Sequence, residues 1–227
     1  MVEEALFTST NDLDIPTLRL DMCANHFILP FVQWGSIARY RAMRGTWGFY
    51  VDDLIFEPLW REPEKIKKSD PGAAIEMNFS VTVDTPAALA IWQTYRKRWL
   101  SRYWQSQGIP IIVDLSVHPK YMELNLLGVP QGWWAFATRG YIREPDDLLL
   151  QQYYRAREIA AGSGKFLFVV YGGGDTFKKK YPQLQDVVWL SDLEDELDGF
   201  QWSSWQVGKQ LHQTGQTIRI EPERLRE

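Results

Sequence analysis

Residues 74–117 read AIEMNFSVTVDTPAALAIWQTYRKRWLSRYWQSQGIPIIVDLSV, and this stretch decides the fold. Apolar side chains alternate with polar ones over most of residues 74–83, which predicts a strand. Pro86 then opens a predicted helix over 87–107, in which apolar side chains recur every three or four residues until Gly108. Residues 109–117 are rich in β-branched side chains and predict a second strand. Strand, helix and strand form a βαβ unit, so we expect adjacent parallel strands with a right-handed crossover.

The rest of the chain continues this alternation of strands with helices or helix-length connections. Six further strands are predicted, at 17–22, 47–53, 133–138, 166–171, 187–190 and 217–221. A helix is predicted after Pro30, and another between Pro145 and Gly162. The pattern predicts an α/β fold with a mostly parallel sheet of βα units, forming a compact or incomplete TIM-type barrel. A doubly wound open sheet is the alternative. We expect one domain over residues 1–227, with a short N-terminal arm at 1–16.

Composition excludes several classes of protein. The apolar fraction of 45% is sufficient for a core, and the net charge of −4 gives no general attraction to nucleic acid or anionic membranes. The single cysteine, Cys23, excludes an intrachain disulfide and is typical of a reducing compartment. The first residues lack the features of a secretory signal, and no apolar run approaches the roughly 20 residues that span a bilayer. We therefore expect a cytoplasmic protein without a membrane partner.

Acidic and polar side chains are predicted at the carboxyl ends of the strands, where parallel folds bind their ligands. Asp53 and Asp114 lie there, and His118 follows the strand that contains Asp114. Carboxylates suit Mg²⁺ or Mn²⁺, so Asp53 and Asp114 form a candidate catalytic metal site, with His118 as a base or third ligand. This site predicts a metal-dependent hydrolase of a phosphate-containing substrate. The competing interpretation is a polar layer whose members satisfy one another.

Three consecutive glycines, Gly172, Gly173 and Gly174, follow the strand predicted at 166–171. Glycines in this position can form a backbone nest that binds an anion ahead of a helix. The spacing matches neither a P-loop nor a dinucleotide-binding motif. The pattern is compatible both with an anion-binding loop and with an ordinary flexible loop.

Basic and aromatic residues alternate along the predicted helix at 87–107. The basic residues are Arg96, Lys97, Arg98 and Arg102. Such a mixture is typical of single-stranded nucleic-acid binding, so it predicts a DNA-binding surface. Because the four charges spread around more than half of the helix, a solvated helix face is the alternative.

Residues 48–141 resemble a large family of uncharacterised proteins that are carried mainly by phages and plasmids. The similarity lies in the two aspartates at 52–53, the FEPLW run at 56–60, the NFS run at 78–80 and the WQSQG run at 104–108. The resemblance brings no established activity. It implies origin in a mobile element and, by association, a role in DNA maintenance or replication.

Two positions depart from the pattern of that family. Asn78 stands where the family usually has Asp, and Asp114 and Val117 replace Thr and Trp. A site built on the family's Asp is therefore altered in this chain. The leading prediction is a mobile-element protein that binds DNA or a replication or partition partner. The alternatives are the metal-dependent hydrolase and a non-catalytic accessory protein.

Overall fold

The fold is built on one parallel sheet. The computed structural model describes residues 7–35, 44–140, 147–184 and 186–190. Within these ranges seven strands lie in chain order across the sheet, and each pairs in parallel with the strand before it. The predicted α/β class with a parallel sheet is confirmed. The strands are β1 Phe31–Gln33, β2 Thr46–Gly48, β3 Ala73–Ile75, β4 Ile111–Asp114, β5 Ala135–Arg139, β6 Leu167–Tyr171 and β7 Val187–Leu190.

Helices occupy most of the connections between the strands. The predicted helix at 87–107 is present as a helix of 20 residues, and the one expected between Pro145 and Gly162 has 12 residues in the described part of the chain. None of the helices in the described ranges has the length and apolarity that crossing a membrane requires. The α-helices are α1 Asp53–Phe56, α2 Pro58–Arg61, α3 Ala87–Ser106, α4 Met122–Asn125, α5 Leu148–Ile159 and α6 Gly174–Lys178.

The βαβ unit at residues 74–117 is confirmed. β3 and β4 are adjacent and parallel, with Ala74 beside Ile111, and α3 connects them. The strand predicted at 74–83 is shorter than expected and ends at Ile75. The backbone N–H of Glu76 still donates to β4, but further along the chain Val81 accepts a bond from the segment that follows β4. The next N–H of β4, that of Asp114, donates to the Glu76 side chain at 3.3 Å, so the ladder of backbone bonds is interrupted there.

The sheet curls until its first and sixth strands come into contact. The ring centroids of Phe31 in β1 and Tyr171 in β6 are 5.3 Å apart, although four strands lie between β1 and β6 in the sheet. Because neighbouring strands lie about 4.8 Å apart, a flat sheet would separate these two strands by about 24 Å. The sheet is therefore an incomplete barrel. The doubly wound alternative is wrong, since that fold reverses its strand order and this sheet does not.

The two faces of the curled sheet have different neighbours. On the concave face, Tyr50 just beyond β2 stacks on Tyr171 of β6, with ring planes 5° apart. On the convex face, Phe49 stacks on Trp104 of α3 with centroids 5.4 Å apart. Helix α3 thus packs on the convex face of the sheet, and side chains at the carboxyl ends of the strands pack together on the concave face.

Two predicted elements differ from the structure. The strand predicted at 17–22 is wrong, because Leu20–Met22 is a 3-10 helix and Leu20 is exposed instead of facing the core. The helix predicted after Pro30 is also wrong at its start, where β1 lies. Pairing with β2 supplies hydrogen bonds to β1 that local periodicity does not reveal. The strand predicted at 217–221 and the first six residues of the arm lie outside the described residues.

Candidate functional site

The carboxyl ends of the strands hold a buried cluster of polar groups around Asp114. This last residue of β4 is fully buried. Its Oδ1 accepts hydrogen bonds from the Tyr50 hydroxyl at 3.0 Å and from the Ser116 backbone N–H at 3.1 Å. Its Oδ2 lies 2.9 Å from Lys97 Nζ. A buried carboxylate is very unfavourable unless it is paired and hydrogen-bonded, and this one is both.

Lys97 reaches Asp114 from α3 and is itself buried. Its Nζ also donates to Asn125 Oδ1 at 2.9 Å, and only 2% of its side chain is exposed. Asn125 Nδ2 in turn donates to the backbone carbonyl of Asp114 at 2.9 Å. The ammonium group therefore donates hydrogen bonds to two side chains inside the protein, those of Asp114 and Asn125. Lys97 joins α3 to the end of β4.

Arg98, the next residue of α3, forms a second buried ion pair. Its guanidinium group bonds to Glu76 just beyond β3, and neither side chain is exposed. Arg98 also donates to the backbone carbonyls of Asn125 at 2.5 Å and of Leu127 at 3.0 Å. Glu76 Oε2 accepts the backbone N–H of Asp114 at 3.3 Å. The two ion pairs thus belong to one network.

The other two basic residues of α3 also contact protein groups. Arg96 lies 4.1 Å from the ring centroid of Phe79, and its Nη1 is 2.6 Å from Glu57 Oε1. Arg102 is half-buried with its guanidinium carbon 4.9 Å from the ring centroid of Phe7. Burial lowers the pKa of Arg102 from its ordinary value.

These contacts show that the basic residues suggested for DNA binding already interact with other groups of the protein. Arg96, Lys97 and Arg98 are at most 7% exposed, so they do not form the solvated helix face that was the alternative. A phosphate can reach their charged groups only if internal ion pairs break. DNA binding through these residues and Arg102 stays a prediction.

The three predicted catalytic and metal residues have separate partners. Asp53, the first residue of α1, accepts hydrogen bonds from both the backbone N–H and the hydroxyl of Ser80, each at 3.0 Å. His118 accepts a backbone N–H at 3.3 Å at the start of the 3-10 helix Pro119–Tyr121. Among the described residues, no three His, Cys, Asp or Glu side chains come together as metal ligands. A metal site on Asp53 and Asp114 stays a prediction, and His118 is not gathered with them.

The three glycines after β6 have a conformational and packing role. Gly172, Gly173 and Gly174 have φ angles of 82°, 81° and 63°, in the left-handed region that favours glycine. A Cβ atom at Gly173 would lie 2.7 Å from the Phe177 ring. The helix that follows, α6, has only five residues. This geometry accounts for the glycines without a ligand, and anion binding at the loop stays a prediction.

Sequence reasoning missed one buried polar residue at the carboxyl edge. Gln33 ends β1 with 2% exposure, and its Oε1 accepts the backbone N–H of Tyr50 at 3.1 Å. Its Nε2 has no hydrogen-bond partner in the described part of the chain. A Cβ atom at Gly48 would lie 2.5 Å from the Phe31 ring and 3.3 Å from that Oε1, so the glycine leaves room chiefly for the phenylalanine and also for the glutamine. Gln33 can be identified only from the pairing of β1 with β2, which local sequence patterns do not show.

At the opposite, amino edge of the sheet a cleft of about 320 Å³ lies beside the starts of β2, β3 and β4. We call it the amino-edge cleft; its polar side chains are Arg44, Lys67, Asp70 and Gln107. The two cations and Asp70 are exposed. Neither cation forms a salt bridge with a residue in the described ranges. Sequence reasoning missed this cleft because its residues come from three separate connections.

Two phage proteins are similar to this chain. The Gene 1 protein of Mycobacterium phage D29 is 32% identical over 133 residues, which are 56% of this chain and 48% of the relative. The Gene 1 protein of Mycobacterium phage L5 is 31% identical over 174 residues, which are 73% of this chain and 74% of the relative. The chain thus spans about half the length of the D29 protein. No solved structure matches the chain.

A family model covers most of the fold. The model described as a domain of unknown function, DUF4417, matches residues 7–186, which include β1 to β6. The phage relatives support an origin in a mobile element. The resemblance to an uncharacterised family carried by phages is confirmed, and the chain belongs to the DUF4417 family, whose function is unknown.

Proposed function

We propose that this protein of a mobile element binds DNA through exposed basic side chains at the amino edge of its sheet. The observation that carries the proposal is that Arg44 and Lys67 share one cleft and form no salt bridge within the described ranges. Lys68, the residue after Lys67, is also exposed. Exposed cations can neutralise phosphates without breaking the fold, whereas the buried cations of α3 cannot.

In this proposal the attraction to DNA comes from the local positive charges of Arg44, Lys67 and Lys68. The chain as a whole carries a net charge of −4, so long-range attraction to DNA is weak. Few phosphate contacts and an unfavourable overall charge imply modest affinity with a clear dependence on salt. The phage relatives support the mobile-element setting, and their printed names state no activity.

Fluorescence anisotropy with labelled DNA tests the proposal. With about three phosphate contacts, the logarithm of the duplex-binding constant should fall with the logarithm of salt concentration with a slope of about −2.7. Lys68→Ala should make the slope shallower by about one unit. Lys120→Ala is the matched control, because Lys120 is exposed beyond the carboxyl end of β4, on the opposite side of the sheet from the cleft. Absence of binding at about 50 mM NaCl contradicts the proposal.

A replication or partition protein is the second candidate partner. The observation that favours it is an apolar surface on α3, where Leu89 and Trp92 are 43% and 45% exposed. Trp92 also packs edge-on against Trp60 of α2, with centroids 5.5 Å apart. Exposed aromatic groups are typical of protein interfaces. Trp92→Ala should weaken capture of purified replication proteins from the same mobile element, whereas Tyr154→Ala on α5 should not. Equal capture by both variants contradicts this candidate.

A metal-dependent hydrolase of a phosphate-containing substrate is the catalytic alternative. It rests on Asp53 and Asp114 as ligands for Mg²⁺ or Mn²⁺. Because Lys97 already neutralises Asp114, a divalent ion has to displace an ammonium group or share the carboxylate with it. A non-catalytic accessory role requires no metal and is compatible with either binding function.

A further inference from the structure

The amino-edge cleft is built on well-supported backbone. The carbonyl of Gly45, just before β2, accepts bonds from the N–H groups of Gly72 at 2.9 Å and Ala73 at 3.2 Å. The N–H of Ile109 donates to the carbonyl of Trp104 at 3.1 Å and so fixes the turn between α3 and β4. The bonds of Gly45 join the first two connections, and the N–H of Ala74 links them to the third by donating to the carbonyl of Pro110 at 2.9 Å. The backbone around the cleft is thus held by hydrogen bonds, and the polar side chains that line the cleft extend from this backbone.

The cleft combines charges of both signs. Arg44 and Lys67 supply two cations, Asp70 supplies a carboxylate, and Gln107 supplies an amide that can donate or accept. A bare phosphate would gain from the cations but would be repelled by Asp70. A ligand that carries both an anionic group and a hydrogen-bond donor satisfies all four side chains. A nucleotide has this chemistry, because its phosphate is anionic and its sugar hydroxyl or base amino group donates.

The size of the cleft agrees with a single nucleotide. Its volume of about 320 Å³ is at the small end of the range for ligand pockets, roughly 300–1,000 Å³. A concave site of this size fits one protruding group better than the continuous surface of a duplex. We propose that the cleft binds the terminal nucleotide of a DNA strand, with Arg44 and Lys67 on its phosphate and Asp70 on a donor of its sugar or base. This inference rests on the proposed DNA binding and names the part of DNA that is recognised.

Two oligonucleotides that differ only in a 5′-phosphate provide the test. Each carries its fluorescent label at the 3′ end, and deoxyadenosine monophosphate is the competitor. We expect the phosphorylated strand to bind the natural chain about tenfold more tightly, as one charge-assisted contact provides. The double variant Arg44→Ala and Lys67→Ala should lose this preference, and Lys120→Ala should keep it. Asp70→Asn should bind inorganic phosphate more tightly than the natural chain does.

The outcomes separate this inference from the proposed function. Salt-dependent DNA binding that ignores the 5′-phosphate and survives the double variant overturns the cleft as the site, while DNA binding itself stands. Tight binding of the free mononucleotide without binding of either strand contradicts the proposed function and supports a nucleotide site. Unfolding curves of each variant show whether a loss of binding comes from a loss of folding. If Lys120→Ala removes the preference as fully as the double variant does, the inference is also overturned.

Discussion

The two edges of the parallel sheet use charged side chains in opposite ways. At the carboxyl edge, Lys97 pairs with Asp114 and Arg98 pairs with Glu76, and all four side chains are at most 2% exposed. At the amino edge, Arg44, Lys67 and Asp70 are exposed around an open cleft. A buried ion pair is very unfavourable to break, whereas an exposed cation can exchange water for a ligand. Position relative to the core therefore decides which charges hold the fold and which can bind.

The largest expected effect of a single substitution is at Arg98. Arg98→Met leaves Glu76 buried without its counter-charge, so the free energy of unfolding should fall by about 3–5 kcal/mol. The matched control is Arg155→Met, because Arg155 pairs with Glu123 and Glu158 at the surface and should contribute no more than about 1 kcal/mol. Urea unfolding measures both. Similar losses for the two variants would remove the contrast between buried and exposed pairs.

The two charges of the Lys97–Asp114 pair should depend strongly on each other. Lys97→Met and Asp114→Asn each leave one buried charge without its partner, whereas the double variant leaves none. The double variant should therefore be more stable than the sum of the single effects predicts, by about 2 kcal/mol. A coupling energy below about 0.5 kcal/mol would show that the two charges act independently.

The third prediction concerns a buried group at the amino edge. Cys23 makes a bridge to Ile111 at the start of β4, and burial raises the pKa of its thiol from 9.0 to about 12. The folded state then favours the neutral thiol. The contribution is complete below pH 9 and is lost as the pH rises toward 12, by up to about 1.4 kcal/mol per unit. Unfolding at pH 8 and pH 10 should show this loss in the natural chain and not in Cys23→Ala. Equal losses would mean that other groups cause it.

The sequence predicts those parts of the fold that local patterns control. The helix α3 has apolar residues at helical spacing, and it is long enough for the crossover that adjacent parallel strands need. The sequence predicts a helix where β1 lies, because only the pairing with β2 identifies these residues as a strand. The alternation of residues along a strand determines the face on which each side chain lies. Where the strand ends depends on hydrogen-bond partners that are distant in the sequence.

The candidate site was predictable only in part, for a related reason. Asp114 is recognisable as a polar residue at the end of an apolar strand, but its counter-ion Lys97 lies in the preceding helix. Helical spacing places Lys97 and Arg98 on a surface, and only the packing of α3 on the sheet buries them. Arg44 and Lys67 meet across separate connections, so no spacing in the sequence relates them. Burial and long-range proximity are the two quantities that local patterns do not contain.

The smallest expected effect is that of divalent ions on the carboxyl edge. We expect Mg²⁺ or Mn²⁺ to leave the unfolding midpoint unchanged, because Lys97, Tyr50 and Ser116 already satisfy the Asp114 carboxylate. Asp53 is likewise occupied by Ser80. An ion that binds the folded chain has to raise the midpoint by mass action, so thermal unfolding with and without each ion is decisive. A rise in the natural chain that Asp53→Asn abolishes would instead establish the metal site on which the catalytic alternative rests.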